Sequence, residues 1–303
     1  TILAFAFIVF FFECLILIIY FYRKIKKRDT RKILYRPVSI VIHLLALFWI
    51  YVGVRGLFIE PYWVEVNTIP IYTEKLKNTS FRIVQISDLH CVKKMRAEKR
   101  LVELVKQIKP DVIVFTGDAL NHQDGLSLFQ DTLYTMDAPL GKFAVTGNWD
   151  ENNWNMLNIF ANTGFKELTC DRAEVTKYGE TIQIAGMGFY QDFDKCRVLD
   201  NLNTQRYRVF LYHRTDIVDY GDELPIDLFL CGHTHGGQAL IPFYGAITTF
   251  SRHGKKYVAG LYDMGHFQMY VNRGIGMERG PVPPIRLGAR PEIAVFEIQP
   301  LIK

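Results

Sequence analysis

An α/β domain preceded by an apolar helical hairpin is what these 303 residues predict. Three observations carry the expectation. Two apolar stretches of membrane-spanning length occupy residues 1–60, short apolar runs bounded by turn signals follow from about residue 64, and one intervening segment has the spacing of a helix with one buried face. The division expected is a membrane anchor over 1–60, a linker over 61–79 and a globular domain over 80–303.

The first stretch, Ile2 to Tyr22, reads "ILAFAFIVFFFECLILIIYFY", with Glu13 as its only charge. As a helix it would span roughly 30 Å, which is membrane thickness. A cleavable signal peptide would show a shorter apolar core, a basic start and a small-residue cleavage site, and none is present. The second stretch, Val38 to Ile59, follows Pro37 and stops before Pro61. Arg55 is near its far end, where it can snorkel, and Trp49, Tyr51, Tyr62 and Trp63 fit an interfacial belt. Glu13 and His43 are costly in hydrocarbon, so they are expected to face each other or another polar group.

Charge is distributed to match. Residues 1–60 carry nine basic and three acidic side chains, a net 9 − 3 = +6, whereas the whole chain is +5 and residues 61–303 are therefore 5 − 6 = −1. The basic balance is a topology signal and calls for no nucleic-acid partner. Eight of the nine basic residues (Arg23, Lys24, Lys26, Lys27, Arg28, Arg31, Lys32, Arg36) link the two stretches, which places that link in the cytoplasm. If both stretches span, the domain is extracytoplasmic, which is the expected arrangement; if only the first spans, it faces the cytoplasm. The five cysteines form no CxxC pair, and Cys170 and Cys196 could bridge in an outward-facing domain.

Beyond the anchor, "FRIVQIS", "DVIVFT", "KFAVT", "TIQIAGMG", "YRVFLY", "DLFLC", "QMYVN" and "EIAVFEI" read as strands, several apolar throughout, as strands covered on both faces are. Between the first two, "KKMRAEKRLVELVKQIK" is apolar at Met95, Leu101, Leu104, Val105 and Ile108, a helical stripe. The polar residues that end these strands carry the chemistry. Asp88 and His90 follow the first, Asp118 the second, Asn148 the third, His213 the "YRVFLY" strand, and His233 and His235 the "DLFLC" strand. Ligands of open α/β sheets gather at carboxyl ends of strands, so seven metal-type side chains from five strand ends could meet at one point. In extended chain, residues i and i+2 point the same way, so Asp88 with His90, and His233 with His235, would each grip one ion. Four of eight histidines at strand ends point to a metal site, whereas His122, His253 and His266 read as surface or supporting residues.

The ordered set "DLH", "GD", "GN", "H" and "GHTHGGQ" resembles the calcineurin-like metallophosphoesterases. The tail "YVNRGIG" with "PVPPIRLGARPEIAVFEI" is similar to their membrane-associated YkuE/YaeI-type branch. The likeness covers roughly residues 80–299 and implies a four-layer αββα sandwich with a binuclear site. Carried over by position, it implies that Asp88, His90 and His235 hold one ion, that Asn148, His213 and His233 hold the other, and that Asp118 bridges them. Histidine nitrogen with carboxylate or amide oxygen suits two divalent ions such as Mn, Zn or Fe. A metal-bridging hydroxide would then attack phosphorus, with the Asn148 amide aimed at a phosphate oxygen.

One position departs from the family. Trp149 stands where a histidine usually assists the leaving group, and an indole N–H donates a hydrogen bond but does not release its proton. The substrate could have a leaving group needing no acid, His122 or His253 could supply the proton, or the protein could bind or sense metal without catalysis. The expectation is a membrane-anchored phosphohydrolase acting on a phosphate ester or pyrophosphate, in a lipid or other envelope component. A narrower form is similar to UDP-2,3-diacylglucosamine pyrophosphatase, which requires a cytoplasm-facing site.

Overall fold

A computed structural model describes residues 2–34, 36–220, 224–278 and 284–301. Pro281, Val282 and Pro283 of the tail motif lie outside the described residues. The chain divides into two compact units, Thr1–Ile59 and Glu60–Lys303.

In the first unit, α-helices run over Ile2–Ile25 and Pro37–Val54, with a short turn of helix at Arg31–Leu34 between them. Phe5–Ile25 and Pro37–Tyr62 are long and apolar enough to cross a membrane and are candidate spans. Most of their large apolar side chains are exposed, which no water-facing helix pair would favour. The two polar groups within them meet, His43 Nδ1 lying 2.6 Å from Glu13 Oε2, and this contact pins one helix to the other.

Among the described residues the second unit contains fourteen strands: β1 (Glu65–Thr73), β2 (Phe81–Ile86), β3 (Val112–Thr116), β4 (Lys142–Val145), β5 (Lys166–Glu167), β6 (Asp171–Lys177), β7 (Glu180–Gly186), β8 (Tyr207–Leu211), β9 (Leu228–Cys231), β10 (Leu240–Ile241), β11 (Gly245–Ala246), β12 (Gly260–Asp263), β13 (Gln268–Val271) and β14 (Glu292–Pro300). One six-stranded sheet has the order β1-β14-β2-β3-β4-β5, the other β12-β13-β9-β8-β7-β6. The strands that deliver site residues, β2-β3-β4 and β8-β9, are parallel within their sheets, so their carboxyl ends open on the same side of each sheet.

Alternation within the apolar runs builds three layers of core. In β2 and β3, Ile83, Val112 and Val114 turn inward to meet Ile184, Val209 and Leu230 of the other sheet. Their neighbours Val84, Ile86, Ile113 and Phe115 turn outward onto the helices Glu98–Ile108 and Leu126–Tyr134 through Leu101, Val105, Phe129 and Leu133. Over the other sheet, Phe210, Phe229 and Met269 pack against Val198, Leu202 and Ile217, where the covering layer consists of short helical turns and loops. The αββα sandwich that the family resemblance implies is thus present, with a thinner second outer layer.

Two local expectations differ, and the possible Cys170–Cys196 bridge is present. The helix begins at Glu98 rather than near Lys93, because Arg96 turns back to donate its Nη2 to the His90 carbonyl at 2.6 Å, leaving Met95 exposed. Residues read as linker form β1, which pairs in parallel with β14 over its full length, from Glu65 beside Glu292 to Thr73 beside Pro300. Pro70 concealed it, since proline argues against a strand except at a sheet edge, and β1 is an edge. Cys170 and Cys196 form a disulfide across 26 residues of sequence.

Candidate metal centre

Strand ends and backbone turns build the site together. β2 ends at Ile86 and β9 at Cys231, so Asp88, His90, His233 and His235 all lie past the extended chain. Their φ angles are +51°, +44°, +70° and +52°, and that of Asp118 is +61°. Left-handed backbone costs a non-glycine residue about 1 kcal/mol or more, so five such residues in one place mark a site held by its surroundings. Cross-links hold it: Asp88 N–H donates to the Gly117 carbonyl, His90 N–H to that of Asp118, and Gly276 N–H to that of Asp88. Two glycines are required by close approach. A Cβ on Gly232 would sit 2.1 Å from Ser87 Oγ and 2.2 Å from Asp88 Oδ2, and one on Gly147 would sit 2.2 Å from Asp118 Oδ1.

The turns break the i, i+2 alternation, and the histidine pair is divided as a result. His235 joins Asp88 and His90 in one buried cluster, while His233 joins Asp118 and His213 in a second, with donor atoms in each within 4.8 Å of one another. The Asp88–His90 grip anticipated from extended chain is kept, and the His233–His235 grip is replaced by the division that the family resemblance implies. Asp118 Oδ2 lies 3.5 Å from His90 Nε2 and 3.3 Å from His213 Nε2, reaching toward both clusters. Asn148 opens the short helix Asn148–Asn153, its Oδ1 3.1 Å from His213 Nε2.

Contact distances test whether ions fit. His90 Nε2 lies 3.2 Å from His235 Nε2, His213 Nε2 3.1 Å from His233 Nδ1, and His235 Nε2 3.6 Å from Asp88 Oδ1. Ligand atoms sharing an ion with bonds of about 2.1 Å stand roughly 3.0–3.4 Å apart. The outer nitrogens are engaged in the appropriate sense. His213 Nδ1 faces the Thr116 carbonyl at 2.7 Å, and His233 Nε2 that of Phe250 at 3.0 Å; an N–H donated to each leaves the opposite nitrogen's lone pair for the centre. The donor set, its burial and its spacing all fit two divalent ions.

The electrostatics are those of a ligand cage. Burial lowers His90 to about 4 and His233 to about 3, and it lowers His235 well below the usual value, with the positive charge of Arg286 nearby adding to the effect. These rings are neutral, as ligation requires. Burial also raises Asp88 to about 7. His213 is the exception. Burial pulls it down, but the carboxylate of Asp118 outweighs this and raises it to about 9, while Asp118, which burial alone would raise, falls to about 2 beside the His213 charge. Asp118 and His213 thus each favour the charged form of the other.

Two carboxylates were not read from the sequence. Asp150 is buried and accepts three backbone N–H groups, from Asp118 (2.8 Å), Ala119 (2.8 Å) and Gly147 (2.9 Å), so it clamps the loop of Asp118 to the loop of Asn148. Its signal was an acid three residues after the helix-opening Gly147. Glu278 accepts from Trp149 Nε1 at 3.2 Å, and its backbone is held by Gln238, whose Oε1 accepts the Glu278 N–H at 3.0 Å. Burial raises its carboxyl above the ordinary range. Its signal was its isolation, for it is the sole acid between Asp263 and Glu292. Trp149 also donates its backbone N–H to Asp118 Oδ1 at 2.8 Å and sets its ring edge-on to His90, centroids 5.6 Å apart.

The other expected acids lie elsewhere in the unit. His122 is exposed and its Nδ1 accepts from the Asp124 N–H at 3.2 Å. His253 Nε2 is 3.3 Å from Asp219 Oδ1, and its ring packs on Tyr257. Neither belongs to the two clusters found among the described residues.

Comparison with known proteins agrees with this geometry. The chain is 32% identical over 259 residues to the uncharacterized metallophosphoesterase YkuE of Bacillus subtilis, covering 80% of this chain and 88% of that one. It is 28% identical to the phosphodiesterase YaeI of Escherichia coli (80% and 90% covered) and 25% identical to the UDP-2,3-diacylglucosamine pyrophosphatase LpxG of Chlamydia muridarum (71% and 82%). The calcineurin-like phosphoesterase family matches residues 81–237, the span from β2 through the second histidine pair. With that match over half of its length, the chain belongs to the calcineurin-like phosphoesterases, a family of dinuclear metal-dependent hydrolases.

Proposed function

We propose that this protein is a membrane-anchored phosphohydrolase that cleaves a phosphate ester or pyrophosphate bond in a lipid or other envelope component, using two divalent ions of the Mn, Zn or Fe type. The observation that carries the reading is Asp118 Oδ2, within 3.5 Å of one histidine from each cluster, joined to an apolar helical pair. Asp88, His90 and His235 would hold one ion, Asn148, His213 and His233 the other, and Asp118 would bridge them. Two such ions supply a nucleophilic water at neutral pH and positive charge opposite the phosphate. The chain's own residues do the rest. Asp150 fixes the distance between the bridging carboxylate and Asn148, the Asn148 NH2 is free to donate to a phosphate oxygen, and the indole of Trp149 walls the site beside His90.

Support for an extracytoplasmic domain comes from the basic link between the two candidate spans and from the Cys170–Cys196 disulfide, a bond that persists in oxidising compartments. The LpxG-type activity requires a cytoplasmic site, and these two features weigh against it. Protease protection of the intact membrane distinguishes the sides. The catalytic reading fails if the purified chain, loaded with Mn or Zn, hydrolyses no phosphomonoester, phosphodiester or nucleotide-lipid in a manner that Asn148→Ala abolishes.

For the leaving group, the site supports two readings. A pyrophosphate or aryl phosphate departs without an acid, which accommodates Trp149 directly. The second reading rests on Glu278, a half-buried carboxyl held on the indole of Trp149 with its affinity for a proton raised; it takes the acid's place ahead of His122 and His253, which face other groups. Glu278→Gln then slows alkyl esters about a hundredfold, the lower end of the range for general acid help, and leaves aryl esters nearly unchanged. Equal slowing of both classes removes Glu278 as a proton donor.

A further inference from the structure

The segment that carries His233 and His235 continues into a hairpin unlike the rest of the unit's surface. β10 and β11 pair antiparallel, Leu240 beside Ala246 and Ile241 beside Gly245, with Pro242, Phe243 and Tyr244 at the tip. Its base is fixed. Leu240 N–H donates to the Leu287 carbonyl at 2.8 Å, and Ala246 is buried against Gly237. Its tip holds apolar rings in solvent. Phe243 is 111% exposed, Tyr244 62%, Ile247 57% and Phe250 44%. Single exposed apolar residues are ordinary, but four within eight positions are a patch. Phe243 also takes φ +65°, a conformation a bulky side chain rarely adopts, and the turn thereby directs its ring outward.

Along its own segment the charge has one sign, although Asp219 Oδ2 from outside it lies 3.7 Å from Arg252. From Gly232 to Tyr262 the sequence holds Arg252, Lys255 and Lys256 and no carboxylate, although residues 61–303 as a whole are net −1. Lys255 Nζ donates to the Tyr244 carbonyl at 2.9 Å and lies over the Tyr244 ring, so the cation is fixed at the hairpin. The patch connects to the centre through the chain itself, since Phe250 accepts from His233 through its carbonyl and sets its ring 6.3 Å from that of His235.

We infer that the β10–β11 hairpin docks into the surface of an anionic phospholipid bilayer, Phe243, Tyr244 and Ile247 entering the interface while Arg252, Lys255 and Lys256 meet lipid phosphates. Aromatic rings with flanking lysines are the side chains that favour this boundary, and each basic residue near an anionic surface contributes about a fivefold gain in partitioning. The inference rests on the membrane-anchored reading above, because a chain already tethered by its own helices meets the bilayer at high effective concentration and needs a small docking element. The consequence for the site is direct. The loop bearing two of the histidines would be held at the depth of lipid headgroups, where a lipid-linked phosphate is presented.

The test uses the full chain reconstituted into vesicles of phosphatidylcholine with or without phosphatidylglycerol, without metal or substrate. A nitroxide is attached at Phe243→Cys in a Cys14→Ser background, with Tyr178→Cys, an equally exposed turn between β6 and β7, as control. The expected result is a label at 243 that oxygen reaches and a water-soluble nickel chelate does not, in phosphatidylglycerol vesicles, with the label at 178 open to the chelate. Lys255→Gln with Lys256→Gln should reopen position 243. A label at 243 that remains open to the chelate in those vesicles overturns the docking, as does dipolar broadening between labels, which would assign the patch to a second copy of the chain. Neither readout involves turnover, so failure to hydrolyse phosphate esters would refute the proposed activity and leave the docking result standing.

Discussion

Asp150 offers the sharpest quantitative handle on the centre. Its Oδ2 accepts from both Asp118 N and Gly147 N, and its Oδ1 from Ala119 N, all between 2.8 and 2.9 Å and all buried. Asp150→Ala leaves three donors without partners, at about 1–3 kcal/mol each, and the lower half of that range gives a loss on the order of 3–6 kcal/mol. Asp150→Asn differs in kind. The amide oxygen can replace Oδ2 and keep two donors, while the amide NH2 faces the Ala119 N–H, so one donor is lost and the cost is about 1–3 kcal/mol. For a unit of this size each kcal/mol corresponds to roughly 2–4 °C in melting temperature. The alanine variant should therefore melt about 6–24 °C below the native protein, and the asparagine variant about 2–12 °C below. Both should also hold less metal, because the clamp sets the separation of Asp118 from Asn148. Thermal melts in detergent with metal analysis of the same samples measure both quantities. Two variants melting within a degree of each other, with full metal content, would show that water satisfies these donors and that the clamp is not what spaces the loops.

Three further outcomes follow from the same geometry. Gly232→Ala places a methyl 2.1 Å from Ser87 Oγ and 2.2 Å from Asp88 Oδ2, so Asp88 must move; metal content should fall by at least one ion per chain, and full content refutes the steric argument. Metal uptake should strengthen with pH up to about 9, because His213 is protonated until then and an imidazolium cannot ligate, whereas His90 (about 4) and His233 (about 3) are already neutral at pH 7. Calorimetry at pH 7.5 in buffers of different ionisation enthalpy should count about one proton released at His213, and none released refutes the pairing with Asp118. Reduction of the Cys170–Cys196 bridge, or Cys196→Ser, should cost roughly 3 kcal/mol through the loop it closes; two free thiols in protein taken from its native membrane would withdraw the bridge's support for an outward-facing domain.

The residues of the two metal-capable clusters were legible because each follows an apolar run long enough to mark a strand, and in parallel sheets the end of a strand fixes where the next side chains go. What the sequence hid depends on turns. Extended-chain alternation assigned His233 and His235 to one ion, but positive φ at both residues, with Gly236 after them, sends their rings to different clusters. β1 was hidden for a related reason, since its partner β14 lies more than two hundred residues away and its half-exposed pattern contains a proline. Glu278 was hidden by distance alone. Its segment is anchored at the centre by backbone bonds, Gly276 N–H on the Asp88 carbonyl among them, and hydrogen bonds with Trp149 and Gln238 seat Glu278 itself.

Those two bonds change the meaning of the tryptophan. Read along the chain, Trp149 is a histidine missing from "GNWD", a loss to be explained by an easy leaving group or an acid elsewhere. In three dimensions it is a donor with two separate partners, its backbone N–H on Asp118 and its indole N–H on Glu278. The backbone bond would survive any replacement at 149 but proline, so the residue type otherwise matters to what the side chain holds. An imidazole at that point could donate to Glu278 as well, but it would bring a titratable group and less area against His90. The indole supplies a fixed neutral donor and a hydrophobic wall, and a carboxyl beside such a wall keeps its proton more readily than one in water. Burial raises the Glu278 carboxyl while the indole N–H donor opposes the rise, and the leaving-group dependence of Glu278→Gln measures whether a proton held there is used.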